Sequence, residues 1–268
     1  MNKSFKCIHQ PSFKNPSLIV GWNKDAGNVA PAVIDFLNEK LGGRMFCEIE
    51  LEKFFSFGGV AVEDDIVQFP ESKFFYNEQE DIVVFKSDQP HVQHYKFLNT
   101  VLDIAEQICH VTELYTVNGF VSSFIHTLPR KIFSVFNLPE FREKLQGYGL
   151  EDLTWEGPPA MSTYLLWIAG RRGIPGLSLW PEIPFYLGAT EDPQSIKKTL
   201  LFLDKRFHLN LDLAEFDNAV WEQDEKITLL RQQNDEIDQY MKLLESGLQL
   251  DEEEQLKLAR EIYSCLNK

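Results

Sequence analysis

The chain has 268 residues, of which 44% are apolar and 13% aromatic, and this composition predicts one large folded domain with a substantial core. Its formal net charge of −15, with 26 basic residues against 41 acidic ones and no basic run, excludes nucleic acid as a partner, because binding to a polyanion depends on Lys and Arg. No stretch reaches the roughly 18 uninterrupted apolar residues of a membrane helix, so we expect no membrane partner.

The four cysteines give a first indication of the compartment. Cys7, Cys47, Cys109 and Cys265 contain no CxxC spacing. Residues 1–10 lack the apolar run of a signal peptide. Both observations predict a protein of the reducing cytoplasm.

The first element in chain order is a strand, turn and helix that open an α/β domain. Residues 18–22 are continuously apolar, as in a strand covered on both faces, and the helix after residue 28 has one apolar stripe. Ligands and partners approach open α/β sheets at the carboxyl ends of the strands. The polar turn is therefore the first candidate binding site, with the residues Trp22, Asn23, Asp25, Gly27 and Asn28.

The following segments continue the sheet. Residues 46–51 are predicted to form a strand, and residues 66–69 and 73–76 form short antiparallel strands separated by Pro70. A buried strand at 81–87 leads through a helix-entry loop with Asp88 into a helix at 95–109. The βα rhythm repeats in strands 113–117 and 132–136, helix 161–171 and strand 176–180. Asn118, Gly119 and Asn137 follow two of these strands and join the candidate site.

The C-terminal part differs from the rest of the chain in its residue pattern, which predicts an α/β domain at 1–210 and a helical extension at 211–268. No glycine or proline interrupts residues 211–244, and apolar residues recur there at heptad spacing. The polar Gln223 limits the apolar seam to about two and a half heptads. The seam either folds back on helix 251–266 or the sheet domain, or mediates self-association as a coiled coil. Its candidate assembly residues are Ile227, Leu230, Asn234, Ile237, Met241 and Leu244.

The acidic surplus is densest in the same part of the chain. Residues 191–268 hold 18 acidic and 10 basic side chains, a net charge of −8. This surface is either the solvated face of the helices or a recognition surface for a basic partner.

Familiar catalytic and cofactor motifs are missing. His91 and His94 are spaced for a shared metal, but no further ligand completes the set. Ser162 lacks the GxSxG context of a nucleophile elbow, and neither GxGxxG nor GxxxxGK[ST] occurs. Asp25 is either a turn cap or a catalytic carboxylate. Trp155, Glu156 and Gly157 form a loop that could line a polar cleft. We therefore predict no bound metal and no cofactor, and we assign no catalytic residue.

Three motifs taken together resemble a known family. They are the opening strand with Asp25–Asn28, the run 155–161 (WEGPPAM) and the run 172–180 (RGIPGLSLW). A Tyr-containing loop at 184–186, a Pro-initiated helix at 193–207, an LNLDL segment at 209–213 and a long acidic helix follow. In this order the elements resemble the proteasome assembly chaperone 2 family along essentially the whole chain, including the helical tail of its bacterial members.

The resemblance implies a three-layer α/β/α sandwich with a mixed, mainly parallel sheet, similar to the phosphorylase and peptidyl hydrolase architecture and usually oligomeric. It implies no established reaction. Eukaryotic and archaeal relatives act as chaperones for proteasome subunits, and archaeal ones can dock on the proteasome ring through a terminal hydrophobic-Tyr-X tail. Here Ile262, Tyr263 and Ser264 have that composition but lie four residues before Lys268, which departs from the family pattern.

Two function hypotheses follow. The first is a non-catalytic, cytoplasmic homo-oligomer of the assembly-chaperone type that binds protein partners through its loop face or its helical tail. The second is a small-molecule-binding protein or enzyme, of ATP-grasp-like, ligase or hydrolase type, that uses a cleft formed by residues 23–28, 87–90, 118–119, 137 and 155–162. A pocket of several hundred Å3 with convergent polar side chains would favour the second hypothesis, whereas a filled loop face would favour the first.

Overall fold

The computed structural model describes residues 4–56, 61–63, 65–157 and 160–267. The strands are β1 (Phe5–Cys7), β2 (Ser17–Trp22), β3 (Arg44–Ile49), β4 (Ala61–Glu63), β5 (Ile66–Gln68), β6 (Ser72–Asn77), β7 (Ile82–Ser87), β8 (Glu113–Val117), β9 (Phe120–Ser122), β10 (Ile132–Phe136), β11 (Glu151–Asp152) and β12 (Gly176–Pro184). The α-helices are α1 (Val29–Lys40), α2 (His94–Gln107), α3 (Pro139–Lys144), α4 (Met161–Arg171), α5 (Pro193–Phe207), α6 (Ala214–Gln233), α7 (Asp235–Glu245) and α8 (Glu252–Leu266).

The main sheet has the strand order β1-β3-β6-β7-β2-β8-β12-β10-β11, with β9 paired to the far end of β12. The four central strands β7, β2, β8 and β12 are parallel. Strands β1, β3 and β6 on one side are antiparallel to their neighbours, and on the other side β10 is antiparallel to β12 but parallel to β11. The mixed sheet confirms the predicted fold class. The prediction that residues 66–69 join this sheet is wrong, because among the described residues β5 pairs with β4 in a separate two-stranded sheet.

Helices cover both faces of the sheet and make the three layers. In β2, Leu18 and Val20 pack against α2 and α4, whereas Ile19 points to the opposite face and packs against α1 and α5. All three side chains are fully buried. Alternate side chains of a strand point to opposite faces, so a strand between two helical layers needs apolar residues at every position. This explains the continuous apolar run.

Strand β12 is longer than predicted. It was expected to end at Trp180 but continues to Pro184. Pro181 is tolerated because it falls between two pairings on one side of β12: β8 pairs as far as Leu179, and β9 pairs from Glu182 onward. A proline in a strand lacks an N–H donor, and the change of partner makes that donor unnecessary on this side.

The helical extension was predicted as one long amphipathic helix followed by the short helix at 251–266, but the long helix divides at Asn234 into α6 and α7. The backbone of Asn234 is extended, with φ −139° and ψ 98°. Its side-chain oxygen accepts hydrogen bonds from the backbone N–H groups of Glu236, at 3.2 Å, and Ile237, at 3.3 Å. Asn234 is thus the N-cap of α7 rather than an inner residue of a seam.

The seam side chains are covered within the same chain. Ile227, Ile237 and Met241 are fully buried, Leu244 is buried and Leu230 is half-buried against the same core. They share this core with residues of α8 and the sheet domain, including Leu258 and Ile262. The structure therefore favours the first of the two alternatives for the seam, a helical hairpin folded onto its own chain.

We expect Asn234→Ala to lower the free energy of unfolding by about 1 kcal/mol, because two N–H groups at the start of α7 lose their acceptor. Equilibrium unfolding in urea measures this change. The matched control is Asn234→Asp, which keeps an acceptor oxygen and should stay close to the wild-type value. Equal stability of all three proteins would contradict the capping role.

The cysteines also differ from expectation. Cys7 of β1 and Cys47 of β3 lie opposite each other in the antiparallel register and form a disulfide. This disulfide does not agree with the reducing compartment that we predicted from the cysteine spacing. The two cysteines are 40 residues apart, so no local spacing in the sequence indicates that they pair. Cys109 and Cys265 are free. None of the helices in the described part of the chain is long and apolar enough to cross a membrane.

Candidate functional site

Asn137 lies apart from the other candidates, because β10 runs antiparallel to β12 and ends at the opposite edge of the sheet, where Asn137 accepts a hydrogen bond from the backbone N–H of Gly176 at 2.8 Å. The candidates that follow β2, β7 and β8 lie at the carboxyl ends of these three parallel strands. There, Asn23 donates a hydrogen bond from Nδ2 to Oδ2 of Asp88 at 2.9 Å, and the backbone N–H of Glu71 donates to the same oxygen at 3.0 Å. These bonds tie the loop after β2 to the loop after β7.

A chain of buried hydrogen bonds connects three further candidates. Trp22 donates from Nε1 to Oγ of Ser162 at 2.8 Å, and Ser162 donates to Oδ1 of Asn118 at 2.8 Å. The chain continues from Nδ2 of Asn118 to Oγ of Ser178, at 3.3 Å, and Ser178 also accepts from the hydroxyl of Thr116. All five side chains are buried, and Ser162 is fully so. The Ser162 hydroxyl is used by its neighbours and is inaccessible to a substrate.

Asp25 fastens the loop after β2 to the loop after β8. Its carboxylate accepts hydrogen bonds from the backbone N–H of Ala30 at 3.0 Å and from that of Gly119 at 2.8 and 2.9 Å. Burial raises the pKa of Asp25 from 3.8 to about 6, although these hydrogen bonds act in the opposite direction. The bond to Ala30 reaches the first turn of α1, five residues further along the chain, and Asp25 makes no side-chain cap of the turn at Ala26 and Gly27. The bond to Gly119 is a tertiary contact that the local sequence does not show.

The raised pKa of Asp25 leads to a pH-dependent stability. The folded carboxyl holds its proton up to about pH 6, whereas the ordinary value is 3.8. Its contribution to the free energy of unfolding is therefore complete below pH 3.8 and is lost as the pH rises through 6, by up to about 3 kcal/mol. We expect Asp25→Asn to remove this part of the fall between pH 4 and pH 7 in urea unfolding. The exposed control Asp152→Asn should keep the wild-type fall, and the same fall in Asp25→Asn would contradict the assignment.

The two candidate glycines allow close packing between loops. Gly27 has φ +65°, and a Cβ atom there would lie 2.8 Å from Cδ1 of Ile183. At Gly119 a Cβ atom would lie 2.3 Å from the carbonyl oxygen of Ala26. Asn28 lies at the surface and donates to Oε2 of Glu191 at 3.1 Å, which links this loop to the start of the α5 region.

The loop with Trp155, Glu156 and Gly157 is exposed. Trp155 is 49% exposed, and Gly157 packs closely against its ring. Within the described residues, no hydrogen bond joins this loop to the Trp22 and Asn118 network. Pro158 and Pro159, which belong to the predicted motif and cleft, lie outside the described residues.

A cleft of about 1080 Å3 lies beside the network, between the first turns of α2 and α4. Four of its lining residues fall in the ranges predicted to form a cleft, namely Gln89, Asn118, Ala160 and Met161, and none of its lining residues is acidic. The lining residues are Gln89, Gln93, His94, Tyr95, Lys96, Leu98, Asn118, Ala160, Met161 and Tyr164. No group of three potential metal ligands occurs in the part of the chain that the structure describes.

A second buried polar cluster was missed by sequence reasoning. Arg130 donates from Nε and Nη2 to the two carboxylate oxygens of Asp192 at 2.9 and 3.1 Å, and both side chains are almost completely buried. His126 and Tyr186 lie beside them, with Nδ1 of His126 2.9 Å from the Tyr186 hydroxyl. Burial, assisted by the charge of Arg130, lowers the pKa of His126 to about 4, so its ring is neutral at pH 7.

This cluster also connects the sheet domain to the helical extension. Nε2 of His126 lies 3.5 Å from a carboxylate oxygen of Asp224 in α6. No motif in the sequence marks these residues. The Asp-Pro pair at 192–193, typical of a helix start, was the only available signal.

The fold and the site define a class of protein: a three-layer α/β/α sandwich whose polar side chains at the strand ends bond mainly to one another. The family model of the PAC2 family matches residues 18–230, and the chain belongs to this family. The predicted resemblance to the proteasome assembly chaperone 2 family is thereby confirmed. No curated protein sequence matches the chain.

Solved structures show the same fold. A Corynebacterium glutamicum protein of unknown function has a TM-score of 0.78 at 17% identity, over 92% of this chain and 97% of the other. The archaeal proteasome activator PbaB of Pyrococcus furiosus has a TM-score of 0.69 at 20% identity, over 85% of this chain and 98% of the other. The proteasome-assembly chaperone homologue Rv2125 of Mycobacterium tuberculosis has a TM-score of 0.69 at 16% identity, over 79% of this chain and 94% of the other.

Proposed function

We propose that this protein is a non-catalytic protein-interaction protein of the assembly-chaperone type, which works in the cytoplasm as a homo-oligomer. Membership of the PAC2 family supports the proposal. So does the fold that the chain shares with an archaeal proteasome activator and a proteasome-assembly chaperone homologue. By analogy with these two relatives, the partner class that we propose is a subunit of a proteasome-like assembly.

The observation that carries the proposal is that the polar residues at the carboxyl ends of the strands form hydrogen bonds within the chain. Trp22, Asn118 and Ser162 bond to one another and are at most 8% exposed. Asp25 is bound by backbone N–H groups. A catalytic group must reach its substrate, whereas these side chains hold the loops of the sheet in place. This edge of the sheet is therefore suited to contact a protein through its surface, and it has no accessible set of reactive side chains among these residues.

The hydrophobic-Tyr-X composition near the C-terminus gives no docking tail in this conformation. Ile262 is fully buried inside α8 and packs in the core of the helical extension, although Tyr263 is 48% exposed. We therefore assign partner binding to the folded surface, either the loop face with Trp155 or the outer face of α6 with Trp221. Both tryptophans are exposed, at 49% and 63%.

Capture of the tagged full-length protein from its native cells, with cross-linking and mass spectrometry, tests the proposal. We expect defined protein subunits to be recovered with the wild type and to bind again when purified. Trp155→Ala and Trp221→Ala form a matched pair: loss of the subunits with only the first assigns binding to the loop face, and with only the second to the helical extension. Recovery of this protein alone would contradict the proposal.

A second candidate function, binding of a small molecule, is favoured by the cleft of about 1080 Å3 between α2 and α4. Native mass spectrometry of protein purified from its own cells measures this directly. A bound molecule that is lost in Met161→Trp, which fills the cleft, would support the second function. A mass equal to that of the bare chain would oppose it.

A further inference from the structure

We propose that the outer face of α2 and α4 is the surface through which two copies of this chain associate about a twofold axis. We call this surface the aromatic face and define it by Tyr95, Tyr164, Trp167 and Arg171. The inference rests on the homo-oligomer proposed above and adds to it the contact surface and the partner, a second copy.

Helix α4 carries apolar or aromatic side chains on both of its sides. Its inner side, with Leu165 and Ile168, is buried against the sheet. Its outer side presents Tyr164, Trp167 and Arg171 at the spacing i, i+3, i+7, which places them in one row. A helix that only covers a sheet needs one apolar stripe, with polar residues on the opposite side. The outer row therefore exposes more aromatic surface than covering the sheet requires.

The aromatic rings of the two helices form one continuous patch. Tyr95 of α2 is 53% exposed and lies 6.2 Å from Trp167, measured between ring centroids. Trp167 is 49% and Tyr164 45% exposed, and the guanidinium of Arg171 lies 5.0 Å from the Trp167 ring centre. The few residues that dominate the binding energy of protein interfaces are enriched in Tyr, Trp and Arg. Contiguous exposed aromatic side chains mark such interfaces.

The distribution of charge selects a second copy as the occupant. Two chains that each carry −15 repel each other, so self-association is easiest where the acidic excess is absent. From α2, α4 and the adjoining Arg172 the charged residues are three basic (Lys96, Arg171, Arg172) and two acidic (Asp103, Glu106). This sum of +1 contrasts with the net −8 of residues 191–268. Two aromatic faces can therefore meet without opposing excess carboxylates.

The same face carries both signs of charge, as a twofold contact requires. Arg172 is already held by Asp103, at 2.8 Å, and Glu106, at 2.5 Å. Arg171 and Lys96 have no ion pair among the described residues. In a twofold contact each surface meets its own copy, so Arg171 of one protomer can face the Asp103 and Glu106 pair of the other. The carboxylates of that pair are 43% and 33% exposed.

The helical extension also exposes apolar side chains, among them Leu256 and Tyr263 of α8, but it carries the acidic excess of the chain. Its apolar seam is buried in its own chain, and its exposed Trp221 is flanked in sequence by acidic residues, among them Glu222 and Glu225. Two such surfaces related by a twofold axis would oppose like charges, which disfavours the contact. Trp221 therefore provides a matched control, an exposed helical tryptophan outside the aromatic face.

The test is the molar mass of the full chain by light scattering at micromolar concentration, together with its dissociation constant by analytical ultracentrifugation. We expect the wild type to be a dimer or a larger oligomer. Trp167→Glu should weaken the association on the order of 100-fold, because it removes a central anchor and introduces a carboxylate. Arg171→Glu, which leaves every ring in place, should also weaken it. Trp221→Glu should keep the wild-type mass. Unfolding curves of all variants confirm that each is folded.

The outcomes separate this inference from the proposed function. A monomeric wild type would overturn the twofold contact, while the capture experiment still decides whether the chain binds other proteins. An oligomeric wild type whose mass is unchanged in Trp167→Glu and Arg171→Glu would overturn the aromatic face but leave the homo-oligomer. Equal weakening by Trp221→Glu and Trp167→Glu would also overturn it.

Discussion

Asp192→Ala is expected to lower the free energy of unfolding by about 3–5 kcal/mol, because it leaves the charge of Arg130 buried without its partner. The side chains of Arg130 and Asp192 are 1% and 0% exposed and share two hydrogen bonds. Asp192 also accepts from the hydroxyl of Ser195 at 2.7 Å and caps α5. Urea unfolding of the purified variant measures the loss.

An exposed ion pair of the same residue types provides the control for this prediction. Arg142 and Asp152 lie 2.6 Å apart, but their side chains are 57% and 73% exposed. Solvent weakens such a pair, so Asp152→Ala should cost less than about 1 kcal/mol. The double variant Arg130→Met with Asp192→Ala should lose less than the sum of the two single changes, since neither charge is then left alone. A loss below 1 kcal/mol for Asp192→Ala would contradict the role of the pair.

Gly119→Ala is expected to lower the free energy of unfolding by about 3 kcal/mol, at the upper end of the range for overpacked sites. The added Cβ atom would lie 2.3 Å from the carbonyl oxygen of Ala26 and 2.4 Å from Cδ1 of Ile183. Backbone must move to relieve the first contact, and the movement disturbs the hydrogen bonds from Gly119 to Asp25. Thermal and urea unfolding measure the loss.

Gly188→Ala is the matched control for Gly119→Ala. Its added Cβ atom would meet its nearest neighbours at 3.3 and 3.4 Å, which small shifts can accommodate, and its φ of −59° suits alanine. We expect a change below about 1 kcal/mol. A tolerated Gly119→Ala would show that the loops after β2 and β8 are packed less tightly than the structure indicates.

Local patterns in the sequence were sufficient for much of the fold. Strands β8 and β10 and helix α4 begin and end at the predicted residues, because apolar periodicity and flanking turn residues mark them, and α5 has the bounds that the family resemblance implies. The break at Asn234 was missed because the heptad pattern continues across it. An Asn is both a tolerated inner residue of a coiled coil and a good N-cap, and only tertiary packing decides between them.

The same distinction between local and tertiary information applies to the site. The convergence of Trp22, Asn118 and Ser162 follows from strand order and loop position, which the sequence indicates. Their burial and bonding to one another depend on how α4 packs against β2 and β8. The ion pair of Arg130 with Asp192 joins residues 62 positions apart, and the disulfide joins strands whose register no local pattern reveals.

The position of β2 at the centre of the sheet has a consequence for synthesis of the chain. Its neighbours β7 and β8 are made later, and the central parallel strands are complete only when Pro184 has left the ribosome, 162 residues after Trp22. At bacterial or eukaryotic elongation rates this takes on the order of 10–30 s. During that interval the nascent polypeptide exposes an apolar strand with an unpaired edge, which is prone to aggregate. We therefore expect the yield of folded protein on expression to depend on chaperones that bind nascent chains and on the translation rate, even though the completed domain buries that strand entirely.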